Sequence, residues 1–205
     1  MTVAVGTYVS TTSLKLRLGL GTADTTDDTL LGTICDQVNT YIETTTGRVL
    51  SPVASGTVTF DVEEATDRIY VKQGIRAITS VEVADYTGDT YTTVGTADYF
   101  LRPLHPEPGW PYTWLHLSDV PTGDYTRFPA GYNTVRIVAT TGWAETPEDV
   151  EDVALTLAVR TWHAREAGQQ DVVGTDEMGR PVVSRFMSAR DRHTLARYAV
   201  PPRAV

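Results

Sequence analysis

Hydrophobic residues follow a helical period in two separate stretches of this chain. An apolar residue recurs every three or four positions from about 26 to 46 and again from about 146 to 167, as on one face of an α-helix. A shorter helix is predicted to begin within residues 10–13 and to end at Gly19 or Gly21. The residues predicted to form the helical core are Leu31, Ile34, Val38, Ile42, Val153, Leu157 and Trp162.

The middle of the chain, from about 56 to 142, changes to a period of two. Six stretches rich in β-branched and aromatic residues predict strands, and the segments between them contain the Gly, Asp, Asn or Pro that turns require. These stretches are TVTFDV, RIYVK, ITSVEVADY, DYFLRPL, WLHLS and TVRIVATT. We therefore expect an antiparallel β module inserted between helices.

The segment after Gly168 shows no clear period until a short helix at about 189–199. The predicted fold class is α+β, with three parts. A small helical bundle comprises residues 1–52 and 143–168, and the inserted antiparallel β module comprises 53–142. An extended C-terminal arm that ends in the short helix comprises 169–205.

The long helix near 146–167 carries start signals that account for its acidic residues. Thr146 is predicted as the N-cap, Pro147 as the first helical residue, and Asp149 as the third position of a capping box in which Asp replaces Glu. Five acids lie between Glu145 and Asp152. Because carboxylates stabilise the positive end of the helix dipole, these acids need no active site to explain them.

Charge is distributed unevenly. Residues 1–159 contain 9 Lys/Arg and 21 Asp/Glu, whereas residues 160–205 contain 8 Arg and 5 acids. An acidic body does not retain nucleic acid through counterion release, whereas the basic C-terminal part can meet an acidic partner.

The composition excludes several other classes of protein. No apolar run approaches the roughly 20 residues of a membrane span, and the first residues lack the pattern of a secretory signal. Cys35 is the single cysteine, which excludes an intramolecular disulfide and a cysteine-rich zinc site. We expect intracellular synthesis and no membrane partner.

No motif indicates catalysis or metal binding. The four histidines lack H-x-x-x-H spacing, and no serine lies in G-x-S-x-G. LGLGTA at 18–23 follows a helix and lacks the lysine of a phosphate loop. Glu63, Glu64 and Asp67 lack the spacing of a calcium loop. We predict no catalytic residue, no metal and no cofactor, although residue order alone does not exclude a hydrolase triad.

Two segments are candidates for protein contacts. The proline-rich stretch 106–114 carries Trp110, Tyr112 and Trp114, which either pack over the end of the sheet or form a contact surface. The basic C-terminal segment suits a docking arm. Its candidate residues are Arg185, Phe186, Met187, Arg190, Arg192, Leu195, Arg197 and Tyr198.

Three stretches of sequence resemble the head–tail connector (adaptor) proteins of tailed bacteriophages. Residues 14–48 are similar to that family's opening helix pair, which ends in Thr-Gly-Arg. Residues 135–166 resemble its strand, Gly-aromatic turn and Pro-started helix, and SARDRHTLARY at 188–198 resembles its terminal helix. The resemblance covers nearly the whole chain, but the β insertion matches only in kind and the Trp/Pro loop is a departure.

The resemblance implies a structural protein of the virion neck, made in the cytoplasm of a bacterial host. Its members form a twelve-subunit ring under the portal protein, join it to the tail-completion (stopper) protein and let DNA pass without specific binding. The arm would then bind the portal, and Asp24, Asp27 and Asp28 would be channel-facing acids. Trp110, Tyr112 and Trp114 would contact the tail side or a neighbouring subunit.

Two other functions remain open from the sequence. The first is a capsid decoration or tail-tube protein. Tube proteins assemble through sheets that complete a continuous β-barrel, so helices that form the core would argue against a tube protein. A small hydrolase would place His116 or His163 within hydrogen-bond distance of a serine or of paired acids.

Overall fold

The structure is a computed structural model that describes residues 6–84, 90–120, 122–123, 125–166, 172–175, 181–183 and 187–200, with only the backbone of 166, 172–175 and 181–183. The chain divides into two compact units. The helical unit comprises 1–48 and 146–205, and the β unit comprises 49–145. The described residues form four helices and a six-stranded antiparallel sheet, with a separate two-stranded sheet. The prediction of an α+β fold is confirmed.

The helical unit contains all four helices and one short hairpin. The hairpin pairs β7 with β8 within the stretch predicted as an extended arm. The bounds are α1 (Thr11–Leu18), α2 (Asp28–Thr46), α3 (Glu148–Glu166), β7 (Val172–Thr175), β8 (Pro181–Val183) and α4 (Ala189–Tyr198).

The helix ends follow from local sequence. Ser10 and Ser13 form a reciprocal capping box at the start of α1, and Gly47 ends α2 in the left-handed conformation at φ 73°, which glycine adopts without steric cost. α3 begins at Glu148, and the carbonyl of Pro147 accepts its first backbone hydrogen bonds. Asp149, predicted to complete a capping box, accepts the hydroxyl of Tyr198.

Helix α2 packs against α1, α3 and α4, and α3 packs against α1 and α4. The seven residues predicted as the helical core are all buried, from 0% exposure at Leu31, Ile42 and Leu157 to 8% at Trp162. Leu14 of α1 and Leu195 of α4 complete this core. The C-terminal helix therefore belongs to the same compact unit as α2 and α3.

The β unit is one antiparallel sheet in the order β1-β6-β2-β5-β4, with β3 paired to β2. Strand β2 merges two of the predicted strands. It pairs with β5 along its first half and with β6 along its second half, and Ile75 has partners in both. The bounds are β1 (Pro52–Val62), β2 (Arg68–Ala84), β3 (Tyr91–Thr93), β4 (Tyr99–Arg102), β5 (Tyr112–Leu117) and β6 (Gly131–Gly142).

Both halves of the sheet contribute to a single apolar core. Ile69 and Leu115 come from one half, Val83 and Val135 from the other, and Phe128 packs with both. At the end of β6, Gly142 has φ +79°, and a Cβ there would lie 2.3 Å from the carbonyl oxygen of Ser51. Only glycine allows this close approach of β6 to the start of β1.

Candidate interaction surfaces

Helix α4, predicted to bind a portal protein, is amphipathic in the structure. Met187, Leu195 and Tyr198 are buried in the helical unit, so three of the predicted contact residues support the fold. Arg190 and Arg192 are exposed, and Arg197 has a side chain 55% exposed. The other two predicted residues, Arg185 and Phe186, lie outside the described residues.

A capping box and an ion pair fix the start of α4. Ser188 and Asp191 cap each other's backbone N–H groups, and the guanidinium of Arg160 lies 3.0 Å from the same Asp191 carboxylate. Burial alone would raise the pKa of Asp191, but hydrogen bonds from Ser188 and the Arg160 charge outweigh it and hold the pKa below its ordinary value. The carboxylate therefore joins α4 to α3 in its charged form.

The end of α4 is tied to the start of α3. The hydroxyl of Tyr198 donates to both carboxylate oxygens of Asp149, at 2.8 and 3.0 Å. Arg197 lies 3.5 Å from the same carboxylate. Together with Asp191, these contacts hold both ends of α4 against α3, so that its exposed arginines project from a fixed helix.

The three predicted channel-facing acids have different local roles. The Asp24 carboxylate accepts the side-chain hydroxyl and backbone N–H of Thr26, and these bonds lower its pKa. Asp28 pairs with Lys15, whose side chain is only 7% exposed. Asp27 makes no side-chain cap bond. Two of the three acids therefore also fix the connection between α1 and α2.

Asn39 of α2 holds the N-terminal segment of the helical unit. Its buried side-chain oxygen accepts the backbone N–H groups of Tyr8 and Val9, both at 3.1 Å. Two backbone N–H groups of that segment are thus hydrogen-bonded to a side chain 30 or 31 residues further along the sequence.

The predicted aromatic contact loop is partly packed against the β unit. Trp110 is half-buried, and its ring lies 4.7 Å from the Trp143 ring in an edge-on arrangement. Tyr112 and Trp114 belong to strand β5 and are also half-buried. These observations favour packing over the sheet for Trp110.

Another surface lies on one side of β2, β5 and β4, opposite the side that carries the buried Ile69 and Leu115. Side chains there form two rows of three that run across the strands. In the first row His116 of β5 lies between its partners Arg68 and Phe100. In the second row Trp114 of β5 lies between its partners Tyr70 and Arg102. Residues opposite each other on antiparallel strands point to the same side. We call this surface the Arg–aromatic face, formed by Arg68, Tyr70, Phe100, Arg102, Trp114 and His116.

The Arg–aromatic face is held together by ring and cation contacts. Arg68 lies over the Trp114 ring at 5.7 Å and Arg102 over the Phe100 ring at 5.0 Å. The ring of His116 stacks on Phe100 at 5.5 Å. Both arginines are exposed, and no ion pair within the described part of the chain involves either of them.

None of the residues of this face except Trp114 is predicted from the sequence as a contact residue. Burial lowers the pKa of His116, and the charges of Arg102 and Arg68 add to that effect against the opposing charges of Asp67 and Asp119. His116 is therefore a neutral ring in the face at neutral pH. The available signal was an aromatic or basic residue at every second position in three strands.

A second surface, on α3, has the opposite charge. Glu148, Glu151 and Asp152 are exposed, and Leu155 and Val159 continue the same side of the helix half-buried. Positions three, four, seven and eleven apart share one helix face. We call these five residues the acidic stripe. Of the ion pairs in the described ranges, none involves its carboxylates.

Groups suited to catalysis or metal binding are scattered. The part of the chain that the structure describes contains no cluster of three His, Cys, Asp or Glu able to hold a metal ion. Cys35 is buried in α2, and burial, with the charge of Asp36, raises its pKa to about 11, so that the thiol stays protonated. Within the described ranges, no helix is both long and apolar enough to cross a bilayer.

The fold that carries these surfaces is a helical unit interrupted by an antiparallel β unit. The same fold occurs in solved particle structures. A chain in the neck of an empty GTA particle, computed with C6 symmetry, matches with a TM-score of 0.62 at 18% identity, over 100% of this chain and 96% of that one. A chain in the virion of a native gene transfer agent (GTA) particle matches with a TM-score of 0.59 at 20% identity, over 100% and 96%.

A third such chain lies in the neck of a native GTA particle computed with C12 symmetry. Its TM-score is 0.56 at 17% identity, over 100% of this chain and 99% of that one. These likenesses establish the fold along the whole chain. No protein-family model and no curated protein matches the sequence.

Proposed function

We propose that this protein is a structural head-to-tail adaptor in the neck of a tailed phage or a phage-like particle. Twelve copies form a ring under the portal protein, join it to a tail-completion protein and leave a path for DNA. The observation that carries this proposal is the end-to-end match in fold to chains of particle necks, one of them computed with C12 symmetry. The independent resemblance of three sequence stretches to phage adaptors supports it.

Helix α4 is the proposed portal contact. Its buried face and its ties to α3 give a rigid support, while Arg190 and Arg192 remain exposed. An arginine donates bidentate hydrogen bonds to a carboxylate, so an acidic portal surface suits this helix. Arg185 and Phe186 stay part of the same proposal.

The negative charge of the protein fits a path for DNA. Twelve copies at −9 each carry roughly a hundred formal negative charges in total, which repel phosphates instead of binding them. Asp27 is the clearest candidate to face the channel, because Asp24 and Asp28 also make the local contacts described above.

The alternatives receive less support. A tail-tube protein would be built around a continuous sheet, whereas α2 and α3 pack on each other in the core of a separate helical unit. For a hydrolase, the candidate base His116 stacks on Phe100 in the Arg–aromatic face.

The direct test is to mix the purified protein with the portal protein of the same particle. Negative-stain images should show a ring stacked coaxially on each portal. Portals without an added ring, at protein concentrations far above those of the portal, would contradict the proposed function.

Substitutions in α4 test the portal contact. Arg190→Glu/Arg192→Glu should abolish stacking without loss of helical signal, because both side chains are exposed. Deletion of the whole segment is a poor test, since Leu195 and Tyr198 belong to the core. The matched control is Arg76→Glu/Arg127→Glu, two exposed arginines of the β unit, and equal stacking of both variants would refute the assignment.

Asp27→Arg tests the DNA path. Particles that carry it should eject DNA more slowly than wild-type particles, because an arginine in the channel attracts phosphates. Asp36→Arg, on an exposed position of α2, is the control with the same change in charge, and identical ejection rates would remove Asp27 from the channel.

A further inference from the structure

The Arg–aromatic face differs in charge from the unit that carries it. Residues 49–145 contain 6 Lys/Arg and 12 Asp/Glu, yet this face presents Arg68 and Arg102 with the partly exposed rings of Phe100 and Trp114. Tryptophan, tyrosine and arginine are the residues that contribute most to protein interfaces. The chemistry of the face suits a protein partner that offers carboxylates beside apolar side chains.

The same chain carries a surface with that chemistry. In the acidic stripe, the exposed carboxylates of Glu148 and Asp152 lie one helical turn apart, and the half-buried Leu155 and Val159 follow them. Carboxylates can pair with the guanidinium groups of the Arg–aromatic face, and the two aliphatic side chains can cover its rings. The two faces therefore carry opposite charges, and both offer apolar side chains beside those charges.

We propose that the Arg–aromatic face of one copy binds the acidic stripe of α3 in the next copy. The inference rests on the proposed ring, because each subunit of a ring must present two different, mutually complementary faces. Arg68 and Arg102, which lie on either side of β5, are the specificity-determining residues. Because the contact pairs exposed guanidinium groups with exposed carboxylates, it weakens as salt screens their attraction.

Single-stranded nucleic acid is the competing occupant, because aromatic side chains and arginines on a sheet also bind stacked bases. Charge argues against it. The unit that carries the face has twice as many acids as bases, and nucleic-acid affinity depends on long-range attraction of phosphates. A carboxylate on a partner protein needs only the local charges of the two arginines.

Two charge-reversed variants test the contact in the full chain. The first, Arg68→Glu/Arg102→Glu, makes both faces acidic and has a net charge of −13, from −9 and two changes of −2. The second, Glu148→Arg/Asp152→Arg, makes both faces basic and has a net charge of −5, from −9 and two changes of +2. Each variant alone should self-associate at least about tenfold more weakly than the wild type in analytical ultracentrifugation, the effect of losing close charge pairs.

An equimolar mixture of the two variants is the decisive measurement. The acidic face of the first variant meets the basic stripe of the second, and the basic face of the second meets the acidic stripe of the first. Association should therefore recover to within about threefold of the wild type, less than the effect of one charge contact. A ring with an even number of subunits closes with the two variants in alternation.

A second pair of variants controls for attraction that results only from the difference in net charge between the two mixed variants. Arg76→Glu/Arg127→Glu and Glu63→Arg/Glu64→Arg have the same net charges, −13 and −5, at exposed positions outside both faces. Each should associate like the wild type, alone and mixed. Arg68→Gln/Arg102→Gln, which removes charge without reversing it, should also weaken association and covers the case in which the glutamates disturb the sheet.

Several results would overturn the inference. The first is a wild-type chain that stays monomeric up to about 1 mM. The second is a mixture of the two charge-reversed variants that does not regain self-association. The third is a control pair that loses association alone and regains it when mixed, to the same extent as the first pair. Binding of an oligothymidylate that is lost in Arg68→Gln/Arg102→Gln, with self-association unchanged, would assign the face to nucleic acid instead.

These experiments distinguish failure of the proposed contact between copies from failure of the proposed neck function. If rings stack on portals but ignore all four charge reversals, the neck function stands and the contact lies elsewhere. If no ring stacks on a portal, the proposed function fails whatever the variants do in solution.

Discussion

The helical unit and the β unit are stabilised in different ways. In the helical unit, polar and charged side chains join separate elements: Lys15 pairs with Asp28, Asn39 holds residues 8 and 9, and Asp191 binds Arg160. In the β unit, one apolar core contains residues of both halves of the sheet, and backbone pairing joins the strands. Side-chain contacts such as the Arg136–Glu82 ion pair add to that pairing.

The difference arises from how each element satisfies its backbone. Helices bond internally and must be oriented by their side chains, whereas strands orient each other through the hydrogen bonds between them. Polar substitutions should therefore disturb the helical unit more, and backbone strain should disturb the β unit more. Five substitutions test this contrast, in order of expected effect.

Truncation in the core should have the largest effect in either unit. Leu157→Ala and Leu115→Ala each remove a fully buried side chain and should lower the free energy of unfolding by about 2–5 kcal/mol. Guanidinium unfolding, followed by circular dichroism at 222 nm and by tryptophan fluorescence, measures it. Three of the four tryptophans lie in the β unit, so each substitution should shift mainly the signal of its own unit.

The control for both is Leu16→Ala, at a position 66% exposed, which should change little. Equal shifts of both signals by either core variant would break the contrast, because the two units would then unfold as one body.

Gly142→Ala should destabilise the β unit through its backbone. The left-handed conformation costs a non-glycine residue about 1–2 kcal/mol, and the new Cβ also meets the Ser51 carbonyl. The melting temperature should fall for the fluorescence signal. Gly56→Ala, whose Cβ would have no neighbour nearer than 3.9 Å, is the matched control, and an unchanged melting temperature for Gly142→Ala would contradict the strain described here.

Tyr198→Phe should loosen α4 without opening a cavity. It removes the hydroxyl that donates to Asp149 and should cost about 1.5–2 kcal/mol, the lower end of the range for hydrogen bonds to charged groups, because the Asp149 side chain is partly exposed. Hydrogen exchange of the α4 amides measures the loss. Tyr132→Phe, at an 86% exposed position of the β unit, should have no effect, and the same protection in both variants would mean that the hydroxyl does not secure the helix.

Asp191→Asn should have the smallest effect, and that effect depends on pH. At neutral pH we expect a loss of about 1 kcal/mol, typical of a weakened cap. Because folding lowers the pKa of Asp191, its charge stabilises the fold above the unfolded pKa of about 3.9. As the pH falls through the folded value that contribution disappears, so the two proteins should converge in stability at low pH. Asp36→Asn, at an exposed position of α2, is the matched control at neutral pH, where it should leave the stability unchanged.

Local sequence was enough to predict the helices. The three-and-four spacing in α2 and α3 predicted their buried faces, and Ser10, Gly19 and Gly47 occupy the predicted ends. β2 was predicted as two strands, because Gly74 resembled a turn residue, whereas the strand continues through it at φ +77°. β3, only three residues long, offered too short a pattern.

Contacts between distant parts of the chain could not be predicted in this way. Asp149 has the composition of a helix cap, but its partner Tyr198 is 49 residues away. The Arg–aromatic face depends on which strands are neighbours, and the alternation within each strand gives only the side on which its residues lie. The same limit explains why the arm residues Leu195 and Tyr198 were expected at a surface.

Strand β2 has a consequence for how the β unit comes apart. One continuous strand, β2, is hydrogen-bonded to β5 along its first half and to β6 along its second half. Ile75 has a partner in both neighbours. If β5 or β6 separates from β2, the pairing of the other strand at Ile75 is therefore disturbed as well. Amide protons at Val71 and Val83 should therefore exchange with solvent through the same opening event and report one free energy.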